Sequence, residues 1–71
     1  MTRSFMIDML VHRYRSEILE LATDNPQHFD DGLASEDPEA FATQLSSAFK
    51  TALETKDLNS LRALYDEYTR D

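Results

Sequence analysis

Residues 37–55 read DPEAFATQLSSAFKTALET, and this stretch decides the fold class. Asp37 followed by Pro38 is a strong helix-start signal, because aspartate can cap free N–H groups and proline fits the first helical position. Apolar residues then recur at steps of three and four, which predicts an amphipathic helix over about residues 38–54. The predicted buried stripe is Phe41, Ala42, Leu45, Ala48, Phe49, Ala52 and Leu53.

A segment of the same periodicity precedes this helix and covers about residues 4–23. Ser4 is its expected N-cap, and Pro26 ends it because proline disfavours a helical conformation at the preceding Asn25. Its predicted core stripe is Ile7, Leu10, Val11, Tyr14, Ile18, Leu21 and Ala22.

A third helix is predicted over about residues 57–70, with Asp57 as its N-cap. Its apolar face is Leu58, Leu61, Leu64, Tyr65 and Tyr68. Only about three residues join it to the second helix, and so short a connection predicts that these two helices run antiparallel. We therefore predict an all-α, three-helix bundle that forms one small domain over residues 1–71.

The connection between the first two helices, residues 24–39, reads DNPQHFDDGLASEDPE. We predict an acidic loop or short helical turn at 24–37. Asn25 would cap this turn, Pro26 would begin it, and Gly32 would end it in the left-handed conformation. Phe29 and Leu33 would then fold back onto the bundle.

Negative charge is concentrated in the same stretch. The net charge is −7, and residues 24–39 carry six carboxylates with neither lysine nor arginine. Asp37 and its neighbours begin a helix, which leaves Asp30, Asp31 and Glu36 as a candidate acidic surface for a partner. A chain of this charge is a poor ligand for nucleic acid or anionic lipid.

No motif in the chain indicates catalysis. Cysteine is absent, the histidines His12 and His28 are isolated, and neither a phosphate-binding glycine loop nor a nucleophile motif is present. We expect a non-enzymatic protein without catalytic residues, cofactor or metal, located in the cytoplasm and not bound to nucleic acid or membrane. The one metal alternative uses Glu17 and Glu20, with Asp24 one turn on, as ligands of a Mg²⁺-dependent hydrolase.

The start of the first helix is more apolar than one buried stripe requires. Phe5, Met6 and Met9 spread onto a second face, next to the basic side chain of Arg13. Loop residues such as Phe29 could cover this face. The alternative is an intermolecular contact, since methionines suit adaptable interfaces and exposed apolar patches are typical of association.

These observations lead to two functional hypotheses of different kinds. The first is a small acidic helical interaction module that forms a homodimer through Phe5, Met6, Met9 and Arg13 and regulates or inhibits a protein partner. The second is an acidic inhibitor that imitates nucleic-acid phosphates in the basic cleft of a DNA- or RNA-binding protein. Acidic chains of this size are common among small regulators of bacteria and phages.

Overall fold

The computed structural model describes residues 2–70, and within that range the chain is helical with no strand. Four α-helices follow in the order α1 (Arg3–Asp24), α2 (Gly32–Glu36), α3 (Pro38–Glu54) and α4 (Leu58–Thr69). A 3-10 turn, Pro26–His28, lies between α1 and α2. The all-α prediction is confirmed, and the three long helices begin and end within one or two residues of their predicted limits.

The N-caps of α3 and α4 are the predicted residues, whereas the N-cap of α1 is not. The carboxylate of Asp37 accepts the Ala40 N–H at 3.2 Å, and that of Asp57 accepts the Ser60 N–H at 3.0 Å, both as predicted. The prediction of Ser4 as the cap of α1 is wrong. Thr2 takes that place and its Oγ1 accepts the Phe5 N–H at 3.1 Å, so α1 begins one residue earlier than expected.

Helices α1 and α3 pack together along their length and form the centre of the structure. They run antiparallel, because Tyr14 stacks on Phe49 with ring centroids 4.2 Å apart, whereas Arg15 Nε reaches back to Thr43 Oγ1 at 3.3 Å. Helix α4 packs against one end of this pair, and the 3-10 turn and α2 pack against the other.

Helix α4 covers the first half of α1. The buried residues at this end are Met6, Ile7, Leu10, Leu53 and Leu61. The Arg3 guanidinium donates to the Lys56 carbonyl just before α4 begins, and Phe49 and Tyr68 meet with ring centroids 6.5 Å apart. Helix α4 therefore runs parallel to α1 and opposite to α3, as the short connection predicts.

The segment from the 3-10 turn to α2 covers the other end of the α1–α3 pair. Ala22, Ala34 and Phe41 form a second buried cluster, and Phe29 and Leu33 pack against it as predicted. The rings of Phe29 and Phe41 meet edge to face at 4.7 Å. The acidic connection is thus held to the core by apolar side chains.

Two details of that connection differ from the prediction. Asn25 makes no side-chain capping bond to the 3-10 turn. Gly32 does not end a turn with a positive φ, since none of the described residues has one; it is instead the first residue of α2. The cap of α2 is Asp31, whose carboxylate accepts the Leu33 N–H at 2.9 Å.

The predicted stripes are correct in outline and wrong at particular positions. In α3, Ala48 and Ala52 are exposed, whereas Ser46 is buried. Burial of this hydroxyl costs little because Ser46 Oγ donates to the Thr43 carbonyl of its own helix at 3.1 Å. Leu21 and Leu58, both predicted to lie in the core, are also exposed.

Candidate protein interface

The structure divides the apolar start of α1 between core and surface. Met6 was predicted to lie at the interface, but it is 2% exposed and packs between α1, α3 and α4, so that prediction is wrong. Phe5 and Met9 are 47% and 42% exposed. The physical reason is the position of α4, which covers the side of α1 that carries Met6 and leaves the neighbouring side open.

Phe5, Met9 and Arg13 follow one another at intervals of four residues, so they form one stripe on a helix of 3.6 residues per turn. We call these three residues the α1 stripe. Arg13 Nε lies 3.5 Å from Glu17 Oε1, an ion pair that their spacing of four residues on one helix favours. Phe5 borders α4, where its ring centroid lies 6.4 Å from that of Tyr65.

The α1 stripe faces away from α3. Tyr14 and Arg15, which touch α3, follow Met9 by five and six residues and therefore lie on roughly the opposite side of the helix. The alternative prediction, that Phe29 covers the start of α1, is wrong, because Phe29 packs on Phe41 at the other end of the molecule. Within residues 2–70, Phe5 and Met9 are thus the large apolar side chains that α1 leaves exposed beside α4.

The three candidate carboxylates of the acidic surface are all exposed, but they are not equivalent. Asp31 caps α2, so one of its oxygens is engaged by a backbone N–H. Asp30 lies in the bend before α2 and Glu36 is the last residue of α2, and the buried Ala34 holds this segment against the core. The segment is therefore a folded acidic surface.

Two residues of the basic cluster at 12–15, Tyr14 and Arg15, contact other side chains of the same molecule. Tyr14, which a nucleic-acid interface would need for stacking on a base, stacks on Phe49. The sequence also allows Arg15 to face the acidic loop, but in the structure its Nε donates to Thr43 Oγ1 on α3. These contacts stabilise the α1–α3 pairing.

Glu17, Glu20 and Asp24 line a shallow depression of about 290 Å³ together with Leu21. Across the described part of the chain, no three histidine or acidic side chains come together in an arrangement that would hold a metal ion.

Hydrogen bonds from Ser60, through its side chain and its backbone N–H, lower the pKa of Asp57, which reflects its role as a helix cap.

On α1, Leu21 is a surface residue that sequence reasoning missed, since its spacing places it in the core stripe of that helix. The signal that could have identified it is helix length. Helix α1 has 22 residues and α4 has 12, so α4 is too short to cover all of α1.

Comparison with protein-family models, curated proteins and solved structures finds no match to this chain. In residues 2–70, none of the helices combines the length and the apolar character that a membrane span requires.

Proposed function

We propose that the protein is a small, acidic, non-enzymatic interaction module that self-associates through the α1 stripe and regulates or inhibits a protein partner. The observation that carries this proposal is the exposure of Phe5 and Met9, one turn apart and next to Arg13, on an otherwise polar face. The fold that presents them is a three-helix bundle in which α1 is the central helix.

The order of residues in the α1 stripe suits a symmetric dimer. If two α1 helices pack antiparallel with their two-fold axis beside Met9, the two Met9 side chains meet at the axis. Phe5 of each copy then faces Arg13 of the other, because both lie four residues from the axis. An arginine over an aromatic face is a favourable cation–π contact, and the arrangement supplies it twice.

The proposed contact is small. Three side chains from each copy bury much less than the roughly 800 Å² per partner of a typical stable interface. Self-association through this contact is therefore weak and depends on protein concentration.

Sedimentation equilibrium over a concentration series tests the proposal. Wild type should move from monomer towards dimer as the protein concentration rises. Met9→Glu should remain monomeric, because it places two carboxylates at the symmetry axis. Leu21→Glu is the matched control, since Leu21 is 43% exposed, nearly the same as Met9, and lies outside the stripe. A wild type that stays monomeric throughout, or equal effects of both variants, would contradict the proposal.

The folded state of residues 24–37 supports the phosphate-mimicking inhibitor as a second candidate. Mimicry needs carboxylates held on a rigid surface, and here Phe29 and Ala34 anchor the segment that carries Asp30 and Glu36. Binding of this kind should weaken steeply with salt and be lost when Asp30 and Glu36 are both changed to their amides. Binding that resists both salt and amide substitution would exclude mimicry.

A further inference from the structure

One side of α1 is buried in its first half and open in its second. Leu10 is 1% exposed beneath α4, whereas Leu21 is 43% exposed. The two residues are eleven positions apart, which is about three full turns, so their side chains leave the helix in nearly the same direction. The apolar side of α1 therefore continues beyond the region that α4 covers.

The lengths and positions of the helices explain this exposure. At 1.5 Å per residue, α1 is about 33 Å long and α4 about 18 Å long. Helix α4 begins beside Arg3 and reaches Arg13 and Glu17 with Glu67 and Tyr68 near its end. Roughly 10 Å of α1, from about residue 18 to Asp24, thus lacks a helix on this side.

The charges around Leu21 indicate what chemistry would cover it. Glu17, Glu20 and Asp24 line the depression that contains Leu21, and we call these four residues the Leu21 surface. The neighbouring chain has the same sign, because residues 16–49 contain no lysine or arginine. The acidic residues in that range are Glu17, Glu20, Asp24, Asp30, Asp31, Glu36, Asp37 and Glu39.

We propose that the Leu21 surface binds a basic amphipathic helix of a partner protein, in line with α4 and beyond its end. This inference rests on the proposed function and gives the chemistry of the protein partner. An apolar side chain of the partner would contact Leu21, while lysine or arginine side chains on its flanks would face Glu17, Glu20 and Asp24. A helix fits because the open side of α1 continues the groove that α4 already occupies.

Charge complementarity favours a basic helix at the Leu21 surface over a second copy of the chain or a nucleic acid. A second copy of the chain would bring the same carboxylates against themselves, which like charges oppose. Nucleic acid would bring phosphates to the same acidic surface. A basic amphipathic helix matches both features, because its apolar side would contact Leu21 and its lysine or arginine side chains would contact the carboxylates beside it.

The test uses the full chain and a fluorescein-labelled peptide of about 18 residues, composed of leucine and lysine with the leucines on one helical face. Fluorescence anisotropy at 150 mM salt measures its binding. Leu21→Ser should weaken binding about tenfold or more, because the central apolar contact is removed. Met9→Ser is the matched control, with the same exposure in wild type, and should bind as wild type does. A peptide of the same composition in scrambled order should bind at least about tenfold more weakly.

Three results would overturn the proposal. These are absence of peptide binding to wild type, equal weakening by Leu21→Ser and Met9→Ser, and equal affinity for the ordered and scrambled peptides. The outcome is separable from that of self-association. Met9→Glu abolishes the proposed dimer and leaves the Leu21 surface intact, so failure of one proposal does not carry the other with it.

Discussion

Replacing Met6 and Met9 separately with alanine should give opposite results, although the two methionines lie only three residues apart. Met6 is 2% exposed and contacts the cluster that contains Leu10, Leu53 and Leu61. Truncation of a buried methionine to alanine removes about 2–5 kcal/mol of stability, and we expect about 3 kcal/mol here. Met9 is 42% exposed, so Met9→Ala should cost less than about 1 kcal/mol.

The magnitude is large for a chain of this size. At about 0.05–0.15 kcal/mol per residue, 71 residues have a free energy of unfolding of about 4–11 kcal/mol. Loss of about 3 kcal/mol therefore removes between about a quarter and most of the total. With a urea slope of about 1 kcal/mol per molar, the midpoint should fall by about 3 M.

Urea unfolding followed by circular dichroism measures these differences, at a protein concentration of a few micromolar, where the weak dimer is not populated. Met6→Leu is the control, because it keeps the volume of the side chain and should cost less than about 1.5 kcal/mol. The assignment of Met6 to the core would be refuted if Met6→Ala cost no more than Met9→Ala.

Three further predictions concern α4, α2 and the response to acid. Leu61→Ala should remove about 2–5 kcal/mol, because Leu61 is fully buried, whereas Leu58→Ala on the same helix should stay within about 0.5 kcal/mol; equal losses in urea unfolding would contradict the packing of α4. Gly32→Ala should stabilise the protein by about 0.4–1 kcal/mol, since an added Cβ meets nothing within 4 Å and the residue begins a helix with an ordinary φ; a lower midpoint in the same assay would show that Gly32 has another role. The pKa of Asp57 is lowered in the fold, so its carboxylate stabilises the protein at pH values above the ordinary pKa of 3.8, and this stabilisation is lost as the pH falls through the folded-state pKa. Asp57→Asn should therefore lose less stability than wild type between pH 6 and pH 2.5. Identical losses in the two proteins would count against the role of Asp57 as a helix cap.

The features that could be predicted from the sequence are those set by neighbouring residues. Asp37 and Asp57 cap helices through bonds to residues three positions on, so the sequence alone identifies them. The same holds for the ion pair of Arg13 with Glu17. Periodicity also identified the all-helical class, because glycine and proline are absent from the interiors of the three long helices.

The features that could not be predicted from the sequence depend on how the helices pack, because packing decides which apolar side chains are buried. Met6 and Met9 both belong to an apolar run, and only the position of α4 places one in the core and the other on the surface. Leu21 has core spacing but is exposed beyond the end of α4. Burial of Ser46 costs little because its own helix supplies a hydrogen-bond acceptor, and its residue type does not reveal that it faces the core.

Asp31 illustrates how a local structure can change a functional interpretation. In the sequence it is one of three carboxylates without a structural role. In the fold it caps the five-residue helix α2, whereas the short helical turn predicted for this segment was expected to begin at Pro26, and its Oδ1 accepts the Leu33 N–H. The acidic segment is thereby partly explained by helix formation, whereas Phe5 and Met9 have no such explanation within residues 2–70.

The most direct test of the account is the oligomeric state of wild type, Met9→Glu and Leu21→Glu at matched concentrations, measured by sedimentation equilibrium. All three chains should be folded, because Met9 and Leu21 are both more than 40% exposed. The account predicts a concentration-dependent dimer for wild type and Leu21→Glu and a monomer for Met9→Glu. A monomeric wild type at every concentration, or a Met9→Glu variant that still dimerises, would contradict it.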